Sequence, residues 1–216
     1  MQPSAVAAGV KGEVFVASYS SGVYSVDASG NISLFIAAAQ VNSPLDMAVD
    51  SAGYLYIVES ASGKVKVFSS SGTYSFAFGD AVSLSADLNI DGTDDGCAKC
   101  YPASVAVTYD EATGVDKIRV GYSVELLDAD NNNAMIVTFD ISGNAVSYMG
   151  TPFRSDDYEA VPANGELTKV IGLAGDSVGR IYAADNFSQR ISVFSEEGVF
   201  LTALALDNIP NNVMAD

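Results

Sequence analysis

The chain has 216 residues, 49% of them hydrophobic, which is enough for one large all-β domain or two small ones. Its 27 acidic residues against 10 basic ones give a formal net charge of −17, which argues against nucleic acid and anionic membranes as partners and favours cations. Histidine is absent, which removes the usual general base and the usual zinc or copper ligand. No run approaches the roughly 20 apolar residues of a membrane span.

A unit of four short strands recurs along the chain. In each strand apolar residues alternate with polar or small ones, and glycine stands in the breaks, where turns require positive φ. The third copy is looser than the others, running from 104 to 150 with its third strand at 134–139. The predicted strands of the first copy are 5–10, 14–18, 22–26 and 32–37, and those of the second are 46–50, 55–59, 64–68 and 74–78. Those of the fourth copy are 169–176, 180–186, 190–194 and 199–204.

Two alignments support the repeat. The turn before each fourth strand ends in glycine, at 27–30, 69–72, 140–143 and 195–198. The frame that starts a unit also recurs, led by proline at Pro3, Pro44, Pro102 and Pro210. A β-sandwich with chance likeness between strands is the alternative, but it does not explain recurrence of the whole unit. Four antiparallel strands in about 40 residues are typical of a β-propeller blade, and the first strands carry the small residues that a crowded axis needs.

The most regular copies resemble NHL repeats. The residues that carry the likeness are Gly179 through Gly198, with Arg190 opening the third strand, and the stretches 53–60 and 64–68. The first and third copies depart from the pattern because they lack this arginine. The resemblance implies one propeller domain or segment over 1–216, with blades at 3–40, 43–80, 102–150 and 166–206 and insertions at 81–100 and 151–165.

Residues 210–216 repeat the start of a unit, so we expect four complete blades plus the start of a fifth. NHL-like rings most often have six blades, which would leave about two beyond this chain. Free blade edges would then require a partner chain, self-association or further sequence. The alternative is that residues 212–216 add as an extra strand to the first blade and clasp a smaller closed ring.

The first insertion contains an Asp-x-Asn-x-Asp-Gly pattern at 87–92, which places oxygen ligands on alternate residues. It resembles the first half of an EF-hand calcium loop and is also similar to thrombospondin type 3 repeats. In that frame the Ca²⁺ ligands are Asp87, Asn89, Asp91, the Thr93 carbonyl and Asp95.

The frame departs from an EF-hand at its twelfth position, where Ala98 stands instead of glutamate, so Asp94 or Asp80 would supply a further ligand. The alternative is an acidic solvated loop. Asp128, Asp130 and Asn132 offer a second cation site, although an Asp/Asn-rich hairpin tip explains them better.

Cys97 and Cys100 form a CxxC pair. A c-type haem would require histidine where Tyr101 stands, zinc requires about four ligands, and a redox motif requires a βαβ context. We therefore predict a Cys97–Cys100 disulfide, with two reduced thiols as the alternative. The disulfide implies an exported protein, extracellular or periplasmic, although the chain opens without a recognisable signal peptide.

Glu59 and Asp185 occupy matching places at the ends of second strands, where we expect them to cap turns rather than to catalyse. NHL-type propellers commonly serve as interaction platforms, so we expect a non-catalytic scaffold or recognition module with a calcium-stabilised loop and a protein partner. The alternative is a metal-dependent lactonase or hydrolase, because some related propellers are enzymes. Its site would need polar ligands on the axis, where the first strands offer mostly Ala, Val and Gly.

Overall fold

The computed structural model describes residues 2–80, 99–111, 113–125, 133–153 and 162–205. Four four-stranded antiparallel sheets, here called blades 1 to 4, follow one another along the chain. Blade 1 contains β1 (Pro3–Ala8), β2 (Val14–Ser18), β3 (Gly22–Val26) and β4 (Ile32–Ile36), and blade 2 contains β5 (Pro44–Val49), β6 (Leu55–Glu59), β7 (Lys64–Phe68) and β8 (Tyr74–Phe78). Blade 3 contains β9 (Lys99–Asp110), β10 (Val115–Glu125), β11 (Asn133–Phe139) and β12 (Ala145–Met149). Blade 4 contains β15 (Val170–Gly175), β16 (Ile181–Asp185), β17 (Arg190–Phe194) and β18 (Phe200–Ala205).

Two minor elements complete the described residues. A short 3₁₀ turn, Ala38–Gln40, follows blade 1. Two-residue strands β13 (Thr151–Pro152) and β14 (Glu166–Leu167) pair in parallel between blades 3 and 4. The predicted all-β class with four-stranded antiparallel sheets and almost no helix is therefore confirmed. In the part of the chain that the structure describes, no helix is long and apolar enough to cross a membrane.

The four blades share the same irregularities. Each has a β-bulge in its first strand, at Ser4, Leu45, Ala103 and Ile171, where the pairing with the second strand shifts. Each has another bulge in its fourth strand, at Phe35, Ser75, Val146 and Leu201. Pro3 and Pro44 stand at the first position of their strands, next to these bulges, where the missing N–H costs little.

The core consists of three apolar layers, one between each pair of successive blades. Phe15 and Val23 of blade 1 pack with Ile57 and Phe68 of blade 2. The other face of blade 2 packs on blade 3, and Ile136 and Met149 of blade 3 pack with the Ile181 face of blade 4. First strands contact one another in the order β1, β5, β9, β15, as expected where inner strands of successive blades meet around an axis.

Glycine turns set the strand boundaries, and two of them allow a matched test. Gly22 (φ 89°) lies beside the end of β4, so an added Cβ would collide with the Ile36 carbonyl oxygen and stand 2.8 Å from the Ala38 nitrogen. Gly30 (φ 83°) has no heavy atom within 4 Å of that Cβ position. Gly30→Ala should lower the free energy of unfolding by about 1–2 kcal/mol, because alanine is strained in the left-handed conformation. Gly22→Ala should lower it clearly more, because the added Cβ also collides with the backbone. Denaturant unfolding checks the order, and equal losses would contradict the close packing at Gly22.

Candidate functional site

The described strand ends that flank the long connections all lie on one side of the molecule, here called the loop face. It is the side on which first strands begin, at Pro3, Pro44, Lys99 and Val170, and on which fourth strands end. Residues 81–98 join the end of blade 2 to β9, 126–132 join β10 to β11, and 154–161 lie between β13 and β14. The opposite side, here called the turn face, carries the short glycine turns between first and second and between third and fourth strands.

Blade 3 extends beyond its neighbours on the loop face. Its β9–β10 ladder continues past Pro102 by three pairs, Tyr101 with Ser123, Cys100 with Val124 and Lys99 with Glu125. At about 3.4 Å per residue the extension amounts to about 10 Å. Lys99 and Glu125 are paired at the tip of this extension, so the segments 81–98 and 126–132 are joined to the ladder at neighbouring residues. The segment with the predicted calcium loop therefore ends, and the segment with Asp128, Asp130 and Asn132 begins, at paired residues of one ladder.

The predicted calcium ligands Asp87, Asn89, Asp91, Thr93 and Asp95 lie outside the described residues, as do Cys97, Asp94 and the residues 128–132 and 210–216. These assignments stay predictions. Cys100 is buried in β9, next to the extended end of the ladder. Asp80, considered as a further calcium ligand, forms an ion pair with Lys64 at 3.0 Å. Within the described ranges no group of three or more His, Cys, Asp or Glu side chains lies close enough together to hold a metal ion.

Glu59 caps the loop face of blade 2, as the sequence predicted. Its buried carboxylate accepts hydrogen bonds from the Asn42 backbone N–H and the Ser62 hydroxyl, each at 2.8 Å. Lys66 pairs with it at 3.0 Å and also donates to the Gln40 carbonyl. The charge of Glu59 is thus used to hold the connection from blade 1 against blade 2.

Asp185 has the matching role in blade 4, which confirms the second capping prediction. Its buried carboxylate accepts from the backbone N–H groups of Thr168 (3.0 Å) and Lys169 (2.8 Å) and from the Thr168 hydroxyl. Arg190, which opens the next strand, donates to the carbonyl oxygens of Pro162, Ala163 and Glu166. Together the two side chains fix residues 162–169 to blade 4.

Exposed aromatic rings also lie on the loop face. Tyr19 lies in the β2–β3 turn, Tyr101 on the extension of blade 3 and Phe187 in the β16–β17 turn, and they are 49%, 45% and 55% exposed. Aromatic side chains are enriched where proteins bind one another, because they bury much area for few lost rotamers. The loop face therefore combines buried anchors, exposed rings and the described residues that flank segments 81–98, 126–132 and 154–161.

The turn face holds an ionic cluster that the sequence analysis missed. Lys117 pairs with Asp110 at 2.9 Å and with Glu196 of blade 4 at 2.6 Å. Burial opposes the charge of Lys117, but hydrogen bonds to Glu196 and Asp110 outweigh it and raise the lysine pKa. Burial lowers the pKa of Arg119, which is fully buried and donates to the Glu196 carbonyl. No motif links Lys117 to Glu196, which are 79 positions apart.

A second turn-face contact joins blades 2 and 3. Asp50 accepts a hydrogen bond from the Tyr56 hydroxyl at 3.1 Å, and Asp116 of blade 3 accepts from the Ser51 hydroxyl at 2.6 Å. Burial raises the pKa of Asp50, and burial and the nearby Asp50 charge raise that of Tyr56. These groups are engaged with one another across the blade junction, which indicates a structural role.

Comparison with solved structures places this arrangement among β-propellers. A streptogramin B lyase is 15% identical to this chain, and the match covers 98% of this chain and 70% of the lyase with a TM-score of 0.50. The WD40 repeats of RRP9 are 13% identical, and that match covers 95% of this chain and 51% of the RRP9 chain with a TM-score of 0.59. A calcium-binding protein, regucalcin, from Agrobacterium tumefaciens strain C58, is 17% identical. The match covers 94% of this chain and 60% of regucalcin, with a TM-score of 0.53. No protein-family model and no curated protein matches the chain. At these identities the likeness establishes the fold alone.

The comparisons correct one expectation. From its sequence the protein was predicted not to be an enzyme, but a lyase is among the structures that share the fold. That prediction is therefore wrong as an inference from the propeller fold, which hosts enzymes as well as WD40 proteins. It failed because an axis lined by small residues says nothing about sites built from loops.

Proposed function

We propose that this protein is an exported, NHL-type β-propeller recognition module that binds a protein partner with a basic surface through its loop face. The observation that carries the proposal is that the described residues flanking segments 81–98, 126–132 and 154–161 all lie on that single face. Binding residues are commonly found on loops that a rigid scaffold positions. The buried anchors Glu59 and Asp185 supply such a scaffold at blades 2 and 4.

Charge supports a basic partner. The segment 81–98 carries four aspartates and no lysine or arginine, and the chain as a whole is strongly acidic, with a formal net charge of −17. Complementary charge steers encounter and selects partners, and its contribution falls as salt screens it. We accordingly expect binding through the loop face to weaken as ionic strength rises.

Calcium is the proposed organiser of the segment 81–98. Asp91→Ala should abolish Ca²⁺ uptake, because it removes a central ligand of the predicted set Asp87, Asn89, Asp91, Thr93 and Asp95. The blades should stay folded, because this segment lies between blades and not within a sheet. Isothermal calorimetry measures the uptake, and Asp140→Ala, which removes a half-buried carboxylate from the turn face, should leave it unchanged. Absence of uptake by the unaltered protein at millimolar Ca²⁺ would reject the site, since even weak extracellular modules bind in that range.

Photocrosslinking distinguishes the two faces as the partner site. A benzophenone amino acid at Phe187 or Tyr101 reports on the loop face, and the same group at Tyr109 or Tyr54 reports on the turn face. All four side chains are partly or largely exposed, so the probe should not disturb the core. We expect adducts with a basic protein from the loop-face positions, reduced by chelator and by high salt. Adducts confined to Tyr109 and Tyr54 would overturn the proposal.

A further inference from the structure

The outer face of blade 4 has the composition of a face that packs against another blade. In blade 2, the face with Tyr56, Val58 and Val65 is buried against blade 3. The residues in the same register of blade 4 are Tyr182, Ala184 and Ile191, which are half-buried. Tyr182 donates to Asp176 at 3.1 Å, the same hydrogen bond at the same distance as that from Tyr56 to Asp50.

The outer face of blade 1 has the complementary composition. Blade 2 turns Leu55, Ile57 and Phe68 toward blade 1, and all three are fully buried there. The same positions of blade 1 are Val14, Val16 and Val26, because Val14 pairs with Val26 as Leu55 pairs with Phe68. The same side of blade 1 also carries exposed apolar side chains at its edge strands: Val6 (63%), Ile32 (66%) and Leu34 (59%).

The ionic cluster between blades 3 and 4 recurs in part at the outer face of blade 4. Lys117 directly precedes Ile118, pairs within its own blade with Asp110, and reaches Glu196 in the β17–β18 turn of the next blade. Arg180 directly precedes Ile181 at the matching place and pairs within its own blade with Asp176 at 2.7 Å. Its side chain is 49% exposed, against 32% for Lys117.

Blade 1 offers the acceptor that this arginine would meet. Its β3–β4 turn, in which the Asp27 N–H donates to the Asn31 carbonyl, matches the blade 4 turn, in which the Ser195 N–H donates to the Val199 carbonyl. Asp27 therefore stands one position before the match of Glu196. Its carboxylate is exposed and accepts only local hydrogen bonds from Ser29 and Asn31 among the described residues.

We infer that the outer face of blade 4 binds the outer face of blade 1 of a second copy of this chain, with Arg180 paired to Asp27 across the contact. Twofold symmetry makes the same contact twice and closes a ring of eight blades. The apolar residues of the two faces then pack as those between blades 1 and 2 and between blades 2 and 3 do. This assembly is independent of recognition through the loop face.

Sedimentation velocity tests the inference on the whole chain. The unaltered protein should sediment as a species of twice the 22.4 kDa chain mass. Asp27→Arg alone and Arg180→Asp alone should each weaken the dimer at least about tenfold, because like charges then face each other at both contacts. An equimolar mixture of the two variants should recover the dimer, because both contacts of the mixed ring regain opposite charges.

Asp140→Arg is the matched control. Asp140 makes the same turn hydrogen bonds as Asp27, from Ser142 and Asn144, but lies in blade 3, away from the end faces. It should leave the dimer intact, whereas Leu34→Glu should disrupt it. A monomer at all concentrations would overturn the inference, as would a dimer insensitive to both charge reversals and to Leu34→Glu. A monomer in which residues 206–216 crosslink to blade 1 would assign that face to the chain itself and would also overturn it.

Discussion

Asp185→Ala is expected to lower the free energy of unfolding by about 3 kcal/mol or more, because each buried donor left without an acceptor costs about 1–3 kcal/mol. The donors concerned are the backbone N–H groups of Thr168 and Lys169 and the Thr168 hydroxyl. Thr168 and Asp185 are both about 1% exposed, so water does not easily replace the lost contacts. Chemical denaturation followed by fluorescence of the tyrosines measures the loss.

Two variants make the interpretation specific. Asp185→Asn retains one acceptor oxygen and should lose less stability than alanine. Glu197→Ala removes an exposed carboxylate that bonds only to Ser195 among the described residues and should stay within about 0.5 kcal/mol of the parent. An unchanged unfolding midpoint for Asp185→Ala, together with lost binding or activity, would show that Asp185 acts in a site and does not cap a turn.

Tyr122→Ala should lower the free energy of unfolding by about 3–5 kcal/mol, the range for removing a fully buried aromatic ring. Tyr122 lies in the layer between blades 2 and 3, close to Phe139, and its hydroxyl donates to the Gly79 carbonyl at 2.9 Å. It thus fixes the residues that immediately precede segment 81–98. Tyr122→Phe keeps the ring but leaves the carbonyl without this donor, and it should cost about 1–3 kcal/mol.

The affinity for Ca²⁺ distinguishes the loss of the Tyr122–Gly79 hydrogen bond from a general loss of stability in this layer. Tyr122→Phe should also weaken Ca²⁺ binding, because the start of the segment loses its attachment to blade 3, whereas a volume change elsewhere in the layer, such as Val65→Ala, should not. Equal stability losses for Tyr122→Phe and Tyr122→Ala would contradict the packing role of the ring.

The blade fold was largely predictable because its strands are short and separated by glycine turns. The predicted bounds of β2, β3, β6, β7, β8 and β17 coincide with those in the structure. Glycines such as Gly30, Gly53 and Gly72 adopt positive φ in these turns, so the sequence marks where each strand must stop. Alternation of apolar and polar residues then determined which side of each strand is buried.

First strands were less predictable because their bulges break the alternation. The structure starts β1 at Pro3 and β5 at Pro44, earlier than the expected 5 and 46. The extension of β9 back to Lys99 falls within the stretch 81–100 that was interpreted as an insertion, since Cys100 and Tyr101 do not continue the repeat. The β13–β14 pair was missed because two-residue parallel bridges leave no period in a sequence.

The candidate site was predictable only where a residue acts within its own blade. Glu59 and Asp185 were identified from their matching positions at strand ends, and each caps a connection near its own blade. The Lys117–Glu196 and Ser51–Asp116 contacts join different blades, so they depend on how the blades pack, which local patterns do not encode. For the same reason the location of the residues that flank the long segments, all on one face, became visible only from the strand topology.

Hydrogen–deuterium exchange with and without Ca²⁺ tests most directly whether the loop face is a calcium-ordered recognition surface. In saturating Ca²⁺ the peptides that cover 81–101 should exchange more slowly than in chelator, and so should those that cover 122–126, because Lys99 and Glu125 are paired at the end of the same ladder. The turns at 27–30 and 195–198 on the turn face should exchange identically in both conditions. Identical exchange of 81–101 with and without Ca²⁺ would contradict the claim.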